Sequence, residues 1–274
     1  MITTLILALV QGVAEFLPVS SSGHLVVFGA MLGELSEEPT LEIILHAGTL
    51  GSILVVYWRD ILKLLSSDRR VIPLLIVGTL PAGVFGIIVK TQFKEWLRSP
   101  SLAATMLIVT GLMLILLGRL RSREGKYAEM SFLSAFLIGC TQAFAILPGI
   151  SRSGSTILGG RLLGLGDKDS VTFSFLLAIP AIGGATVLTI KDLLEGDAGS
   201  STQTSGGLVP TREMLQPAFG SPELVAGAAV AFLVGILAIR WLKRWSDQRR
   251  LHWFAYWCLP FGVATLVWFT FRPT

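Results

Sequence analysis

The stretch PVSSSGH at residues 18–24 interrupts an apolar segment at the point where a membrane-spanning helix would continue. Three serines, a glycine and a histidine stand where lipid-facing leucines are expected. A second stretch of the same kind, PGISRSGST at 148–156, lies about halfway along the chain. Non-helical backbone inside a bilayer is tolerated only where protein or a water-filled cavity surrounds it. The two stretches therefore predict two polar kinks that are enclosed by the rest of the molecule.

The composition around these stretches is that of an integral membrane protein. Of the 274 residues, 52% are hydrophobic and 15% are charged, whereas soluble domains carry about 25% charged residues. Runs of roughly 18 or more apolar residues can cross a hydrocarbon core as helix. We expect an all-α, polytopic fold that forms a single integral membrane domain over residues 1–274. Its apolar segments are 2–17, 23–33, 40–58, 71–90, 101–119, 131–147, 154–165, 170–190, 220–241 and 251–271.

Charged residues indicate the orientation of these segments. Basic residues gather at 59–70, 119–126 and 240–250, and the positive-inside rule places all three segments in the cytoplasm. The segment 191–223 is mostly acidic and is placed outside, and the Ser-, Thr-, Gly- and Pro-rich stretch 198–222 within it predicts an external polar loop. The net charge of +4 is spread over loops rather than along a basic stripe, which argues against nucleic acid as a partner.

The two polar stretches belong to similar segments. LVQGVAEFLPVSSSG at 9–23 aligns with CTQAFAILPGISRSG at 140–154 when one residue is inserted after the Leu-Pro pair of the second segment. The chain then divides into two halves of opposite orientation, 1–125 and 126–274. Each half starts with a re-entrant helical hairpin and continues with three spans, which makes about six full transmembrane spans. Inverted repeats of this kind place their site near the midplane, where the broken segments meet.

The equivalent residues in this alignment fall at the ends of the half-helices. Gln11 falls on Gln142, Ser20 on Ser151, and Gly23 on Gly154. The first amides of a helix have no intrahelical partner and its dipole is positive there, so each kink predicts an anion site suited to phosphate. Plain N-capping is the alternative for any one serine. The candidate phosphate contacts are Gln11, Ser20, Ser22, Ser151, Ser153, Gly154 and Thr156.

Arg152 and Glu15 are the charged residues of the two hairpins that suggest chemistry. A planar guanidinium suits phosphate recognition, and its alternative is a structural ion pair with Glu15. Glu15 shares a helical face with Gln11 and is the only carboxylate in either hairpin segment, so it is expected to be functional unless it serves helix pairing. One carboxylate cannot cage a metal, but it could hold Mg²⁺ or Ca²⁺ jointly with substrate phosphates.

Histidines and hydroxyls complete the candidate site. A neutral imidazole at His24 could act as general base for a nearby serine or protonate a leaving oxygen, with a structural histidine as the alternative. His46 is expected to pack or to make a supporting hydrogen bond. Cys140 and Cys258 are expected to be small buried hydrophobic residues, and the GxxxG pair at 160 and 164 is expected to mediate close helix packing.

QGVAEFLPVSSSGH at 11–24 and PGISRSGST at 148–156 resemble the paired motifs of the bacterial undecaprenyl-diphosphate phosphatases of the bacitracin-resistance type, and FSFLLAIP at 173–180 is similar to that family too. The resemblance implies removal of the terminal phosphate from a C55 polyprenyl diphosphate, which returns the carrier lipid to cell-wall synthesis and confers bacitracin resistance. It also implies a divalent cation, membrane lipids as partners, and a multi-pass protein of the cytoplasmic (inner) membrane whose active site opens to the outer, periplasmic face.

The family's functional residues can be carried over to matching positions. Glu15, Ser21, His24 and Arg152 match residues regarded as essential, and Ser151 and Thr156 match phosphate-binding positions. Gln11 stands where some members carry Glu, which weakens any mechanism with two carboxylates on the metal. Ser21 assisted by His24 is the favoured nucleophile, with His24 itself or water as the other choices, and a homodimer stays open.

Two other functions compete with this interpretation. Lipid phosphatases of the acid-phosphatase type carry SR-x5-H, but Leu158 occupies the position of that histidine here. A transporter or lipid flippase would use the same inverted-repeat architecture with broken helices. The reactive cluster in the first hairpin favours the enzyme, because a carrier has no need of it.

Overall fold

A computed structural model describes residues 1–32, 39–93, 97, 99–195 and 221–271. These residues contain eleven α-helices and no β-strand. The expected loop at 198–222 lies outside the described residues except for its last two positions. Short 3₁₀ helices occupy Tyr127–Glu129 and Leu251–Phe254. The α-helices are α1 Ile2–Ala14, α2 Ser21–Leu32, α3 Pro39–Val56, α4 Trp58–Leu65, α5 Val71–Gln92, α6 Pro100–Arg119, α7 Phe132–Phe144, α8 Arg152–Leu162, α9 Asp167–Glu195, α10 Pro222–Asp247 and α11 Ala255–Phe271.

Five stretches of helix are long and apolar enough to cross a membrane, and this confirms the expected all-α, polytopic membrane fold. Their outer faces expose large apolar side chains such as Leu80, Leu112 and Leu233, as lipid contact requires. The sixth expected span corresponds to α3, whose 18 residues rise about 27 Å. The five stretches are Val71–Val89, Pro100–Arg119, Asp167–Leu188, Pro222–Asp247 and Leu251–Phe271.

The chain after α3 differs from the expectation of a plain basic loop. The helix breaks at Tyr57, and α4 follows at once as a separate amphipathic helix. Leu64 is buried, whereas Trp58, Leu62 and Leu65 are exposed on one face, because positions four and seven residues apart share a side of a helix. The expected end of the span at residue 58 is therefore close, but the loop assigned to 59–70 is wrong over its first half.

The three basic segments come together at one end of the molecule. Arginine side chains hold them there by donating to backbone carbonyl oxygens: Arg70 to Met130, Arg161 to Arg121, and Arg249 to Leu120. We call this the basic end. The expected grouping of these segments on one side is confirmed, and their placement in the cytoplasm stays a prediction.

The N-terminus lies at the opposite end. The Met1 amine forms an ion pair with Glu223, and Thr4 Oγ1 donates to the same carboxylate at 2.5 Å. Glu223 is in the first turn of α10, whose 26 residues extend about 39 Å. The other end of α10 is at the basic end, where Asp247 lies 3.9 Å from Lys168. Helix α10 therefore extends from the N-terminal end of the molecule to the basic end.

The first helical hairpin starts and returns at the N-terminal end. Its helices, α1 and α2, have 13 and 12 residues, too few to span a bilayer singly. Val27 of α2 packs against Ala103 and Leu107 in the first half of α6. Because α6 runs toward the basic end, α2 leads the chain back to where α1 began.

The second hairpin, α7 and α8, starts and returns at the basic end. Its helices have 13 and 11 residues. The last turn of α8 contains Arg161, which donates to the Arg121 carbonyl at the basic end. A Cβ atom built on Gly159 would lie 2.9 Å from Thr141 Oγ1, so the two helices pack side by side. The hairpins thus enter the molecule from opposite ends, as the alignment of the two halves predicts. Their re-entrant placement in a bilayer stays a prediction.

Each hairpin packs on the other half of the chain. Helix α1 contacts α10, and α7 makes the equivalent contact with α5, while α6 and α11 pack together. The largest hydrophobic cluster joins residues of both halves, including Phe16, Phe175 and Cys258. The halves therefore share a core, and the exact boundary at 125–126 stays a prediction.

Two packing expectations are wrong. Cys140 is exposed, whereas Cys258 is buried as expected. Gly164 lies beyond the end of α8 at Leu162, in a turn with φ +99°. Of these two glycines, only Gly160 lies within the helix, where it packs against Ser170. The GxxxG pattern therefore combines Gly160, which packs within a helix, with Gly164, which forms a turn, and it does not mark a helix-packing motif.

Candidate active site

The two polar kinks meet inside the molecule. A Cβ atom built on Gly23 would lie 2.5 Å from the Cα atom of Gly149, and one built on Gly154 would lie 3.3 Å from Pro18 Cβ. The start of each hairpin's second helix therefore touches the turn of the other hairpin. Helix α1, with 13 residues, extends about 20 Å between the N-terminal end and the meeting point. Helix α8, with 11 residues, extends about 16 Å between the meeting point and the basic end. The meeting point lies between the two ends.

Both second helices start with a serine cap. Ser20 Oγ accepts from the Gly23 amide at 3.3 Å, and Ser151 Oγ accepts from the Gly154 amide at 3.2 Å. N-capping serine oxygens satisfy amides of the first turn in this way. The alternative interpretation of these two serines is thus confirmed, and the Gly154 amide is already paired within the protein. The matching caps support the alignment of the two hairpins.

Thr110 of α6 holds the second kink in place. Its hydroxyl donates to the Gly149 carbonyl at 2.7 Å and accepts from the Ser151 amide at 3.1 Å. Thr110 is fully buried. A single side chain therefore pairs two backbone groups that are removed from water. No signal in the apolar sequence of α6 pointed to this residue.

Glu15 is the centre of the charged and polar contacts. Its Oε1 atom accepts from Arg152 Nη2 at 2.6 Å, across 137 residues of sequence. Its Oε2 atom accepts from Gln11 Nε2 at 3.2 Å and from Ser21 Oγ at 3.4 Å. His46 Nε2 lies 3.9 Å from the same oxygen and 3.4 Å from Gln11 Nε2. The structure thus assembles a carboxylate, a guanidinium, an amide, a hydroxyl and an imidazole.

One nitrogen of the Arg152 guanidinium, Nη1, has no hydrogen-bond partner among the described residues. The ion pair with Glu15 that the sequence left as an alternative is present, through Nη2. Nη1 is buried. A buried donor without a partner is expensive and calls for a ligand or water. Arg152 can therefore hold Glu15 and still donate to an anion.

His24 does not face Ser21. Its Nδ1 atom lies 2.7 Å from the Ser20 carbonyl oxygen, and its Nε2 atom accepts from Trp257 Nε1 at 2.9 Å. Both ring nitrogens are engaged, and Ser21 Oγ bonds to Glu15 instead. The expected hydrogen bond between His24 and Ser21 is absent from this arrangement. A catalytic role for His24 stays a prediction.

The remaining candidate phosphate contacts differ in accessibility. Ser22 is exposed and Ser21 is partly buried, so both can reach a ligand. Ser151 and Ser153 are buried, and their hydroxyls lie 3.2 Å apart. The open side of the site is therefore formed by the first turn of α2 together with Glu15 and Arg152.

Thr156 is placed away from that opening. Its hydroxyl contacts Ser174 Oγ at 2.6 Å and donates to the Arg152 carbonyl at 2.9 Å. Thr156 is 1% exposed and Ser174 is fully buried. Thr156 therefore ties α8 to α9, and direct phosphate binding through its hydroxyl would require these bonds to break.

The donor set bears on the divalent cation. Among the described residues, no group of three or more His, Cys, Asp or Glu side chains is placed to hold a metal ion. Glu15 Oε1 is engaged by Arg152, but Oε2 has only the longer contacts to Gln11 and Ser21. The residues fit a cation shared between Glu15 Oε2 and substrate phosphates, and they do not fit a cation held by protein alone.

Comparison with known sequences places the chain in a family. A family model described as bacitracin resistance protein BacA matches residues 4–264. The chain belongs to the BacA family. A protein of Rhodopirellula baltica named undecaprenyl-diphosphatase is 64% identical over 267 residues, 97% of each chain. Proteins with the same name from Carboxydothermus hydrogenoformans and Halothermothrix orenii are 37% and 34% identical, and each alignment covers at least 95% of both chains.

The BacA motifs led to most of the site, and three contributors were missed. Thr110 lies in an apolar helix, where a single hydroxyl gives no sequence signal, and Ser174 lies within FSFLLAIP at 173–180, a stretch that pointed to the family but not to this hydroxyl. Trp257 is one of seven tryptophans and has nothing in its neighbourhood to distinguish it. His46 was expected to pack or to make a supporting hydrogen bond, and its Nε2 atom lies 3.4 Å from Gln11 Nε2.

Proposed function

We propose that this chain is an undecaprenyl-diphosphatase, which removes the terminal phosphate of a C55 polyprenyl diphosphate and releases undecaprenyl phosphate. The observation that carries the proposal is the cluster of Glu15, Arg152 and Ser21 at the facing N-termini of α2 and α8. Membership of the BacA family and the shared name of its relatives agree with it. Hydrolysis of this kind serves the recycling of the cell-wall carrier lipid and gives resistance to bacitracin.

The terminal phosphate would bind between the two helix starts. Arg152 Nη1 has no partner in the described residues and can donate to a phosphate oxygen. The positive ends of the α2 and α8 dipoles add to the attraction of an anion. Ser22 is exposed at the same place and supplies a further hydroxyl. The apolar surface around the hairpins suits a polyprenyl chain.

Ser21 is the proposed nucleophile. Its Oγ atom would attack the terminal phosphorus while its proton passes to Glu15 Oε2, 3.4 Å away. The bond between that phosphorus and the bridging oxygen breaks, and undecaprenyl phosphate leaves. Water then attacks the phosphoserine, the proton held by Glu15 returns to the Ser21 oxygen as the bond from that oxygen to phosphorus breaks, and inorganic phosphate leaves with both protons of the water. Arg152 offsets the charge that develops on the phosphoryl oxygens.

A bound Mg²⁺ or Ca²⁺ would neutralise part of the diphosphate charge, with Glu15 Oε2 as its protein ligand. The lipid nature of the substrate and the apolar helices agree with a multi-pass membrane enzyme. We place it in the bacterial cytoplasmic membrane with the site open to the outer face, because the basic end is assigned to the cytoplasm.

The test is phosphate release from a polyprenyl diphosphate in detergent micelles, where no sidedness exists. We expect turnover with Mg²⁺ or Ca²⁺ that is lost in Arg152→Ala and kept in the control Arg69→Ala, whose side chain is exposed far from the site. Binding without turnover would contradict the proposal and favour a lipid carrier. Trapping a phosphorylated intermediate and locating the label on Ser21 or His24 tests the nucleophile.

A further inference from the structure

The His24 side chain is held in one protonation form by its two partners. Trp257 Nε1–H can only donate, so His24 Nε2 must be the unprotonated acceptor at 2.9 Å. The Ser20 carbonyl can only accept, so His24 Nδ1 must carry the proton that bridges the 2.7 Å between them. The two bonds together select the neutral Nδ1–H tautomer.

Aromatic rings fix the plane of this imidazole. The Phe261 ring is stacked on His24 with centroids 4.7 Å apart and an angle of 6°. The same ring is stacked on Trp257 at 5.6 Å and 9°. His24 is 6% exposed, whereas Trp257 is 53% exposed. The His24 and Trp257 rings are 6.1 Å apart at an angle of 10°, so the three rings are nearly parallel and Phe261 contacts both members of the hydrogen-bonded pair.

The Nδ1–H bond acts on the backbone of Ser20. Ser20 has φ +67°, a left-handed conformation that is uncommon for residues other than glycine. The backbone bond that normally stabilises the first turn, from His24 N to Ser20 O, is long at 3.4 Å. The imidazole supplies the short bond to the same oxygen. The next residue, Ser21, donates from its Oγ atom to Glu15 Oε2 at 3.4 Å.

The second hairpin has a side-chain donor at the same place, but its first turn is already closed by the backbone bond from Ser155 N to Ser151 O at 2.9 Å, and its cap residue Ser151 has an ordinary φ of −76°. Ser155 occupies the position equivalent to His24 in the alignment of the hairpins. Its hydroxyl donates to the carbonyl of the cap residue Ser151 at 2.8 Å, as His24 Nδ1 donates to that of Ser20. A serine hydroxyl at this place has no acid–base function to perform. Both hairpins therefore have a side-chain donor to the cap carbonyl, but only in the first hairpin, where the backbone bond is 3.4 Å long, is the side chain the one short bond to that oxygen.

We propose that Trp257 and His24 form a positioning pair for Ser21, rather than His24 serving as its general base. Trp257 selects the Nδ1–H tautomer, His24 then holds the Ser20 carbonyl, and the constrained turn aims Ser21 Oγ at Glu15. The last helix of the chain thereby controls the first kink, which it also touches through Cys258 Sγ, 3.9 Å from the Pro18 carbonyl. The reaction affected is the one given under the proposed function, on which this inference rests.

Nitrogen NMR of the full-length protein tests the tautomer directly. The chain has three histidines, so ¹⁵N-histidine labelling gives three imidazoles, and His24→Asn identifies the one of interest. We expect a protonated Nδ1 and an unprotonated, hydrogen-bonded Nε2, with the Nε2 resonance displaced in Trp257→Phe. Trp253→Phe is the matched control, because Trp253 is 52% exposed and has no bond to His24 among those of the described residues. A protonated Nε2 in the unaltered protein would overturn the proposal.

Activity of His24 variants provides the second test. Asparagine places an amide N–H near the position of Nδ1 but has no basic nitrogen. We expect His24→Asn to retain far more activity than His24→Leu, whereas loss of a general base would lower both by about 10²–10⁴-fold. Trp257→Phe is expected to lower kcat with little change in KM, because Trp257 is proposed to act through His24 and Ser21 and not on the substrate itself. If the His24→Asn variant folds but is as inactive as His24→Leu, the positioning role of His24 is refuted.

The two tests separate this inference from the proposed function. Absence of phosphate release by the unaltered protein would refute the diphosphatase activity, and the NMR result would still decide which nitrogen carries the proton. Normal turnover together with the wrong tautomer would refute the positioning pair alone.

Discussion

Glu15 is the residue whose environment is most informative, because one carboxylate receives donors from both halves of the chain. Arg152 engages one oxygen at 2.6 Å, while Gln11 and Ser21 lie farther from the other. The ion pair matters because a buried carboxylate without a partner would be costly. The more weakly bonded oxygen is the one available to take a proton or meet a cation.

Glu15→Gln is expected to lower kcat for phosphate release by about 10²–10⁴-fold, because the amide cannot accept the Ser21 proton. The same change should weaken the dependence of the rate on Mg²⁺ or Ca²⁺, which a cation titration measures. Asp60→Asn is the control, since Asp60 pairs with Lys63 in α4 away from the site. An unaltered cation titration would remove Glu15 as a ligand.

Thr110→Val is expected to lower both thermal stability and activity. The substitution keeps the shape of the side chain but leaves the Gly149 carbonyl and the Ser151 amide buried without their partner. Each such group costs about 1–3 kcal/mol. Thermal unfolding in detergent measures the effect against Thr105→Val, whose exposed hydroxyl bonds only within its own helix. Equal midpoints for the two variants would contradict the role of Thr110.

At the scale of elements, the kinks are possible because short helices, tight turns and small residues occur together. Neither Gly23 nor Gly149 could carry a side chain without displacing the other hairpin or α6. Close approach of backbones is a general use of glycine in membrane proteins. The kinks are therefore parts of an interface as well as interruptions of helices.

Gly149→Ala is expected to destabilise the protein by about 1–3 kcal/mol and to reduce turnover. Its φ is +96°, and a Cβ atom there would lie 2.2 Å from the Ala103 carbonyl oxygen. Gly183→Ala is the matched control, because no atom lies within 4 Å of its Cβ position in α9. The midpoint of thermal unfolding measures the loss of stability. A Gly149→Ala variant as stable as the control would count against the close packing of the kink.

At the scale of the whole molecule, two hairpins from opposite ends meet and share one site. Pro18 Cβ lies 3.3 Å from the Cβ position of Gly154, close to the range of about 3.5–4.5 Å found in disulfides. Pro18→Cys with Gly154→Cys, in a background without Cys140 and Cys258, is expected to crosslink on oxidation. The crosslink should abolish phosphate release until it is reduced.

The control for that experiment pairs Pro18→Cys with Gly183→Cys, which lies in another helix. Mass spectrometry of proteolytic peptides identifies the linked positions. Crosslinking of the control pair alone, or of neither pair, would show that the two kinks do not meet.

The orientation of the molecule is tested by cysteine labelling in intact cells. Ser67, Glu124 and Gln248 are exposed positions in the three basic segments. Single cysteines there, with Cys140 and Cys258 removed, are expected to resist a membrane-impermeant thiol reagent until the membrane is opened, because basic segments stay in the cytoplasm. Labelling of any of the three from outside would invert the assigned faces.

The sequence by itself determined the class of fold and the existence of two related kinks. Composition and segment length reveal lipid-spanning helices, since lipid contact restricts side chains along the whole segment. The Ser-x-Ser-Gly pattern at 20–23 and 151–154 reveals helix starts, because capping depends on neighbours in the chain. These properties are local, so they can be recognised without coordinates.

Only the tertiary structure decided which groups meet. It selected the ion pair between Glu15 and Arg152 from the alternatives for these residues, and it turned His24 toward Trp257, 233 positions away, instead of toward Ser21. It also brought Thr110 to the second kink. The physical reason is that such contacts depend on how helices rotate and pack against one another, and no local pattern in a single segment carries that information.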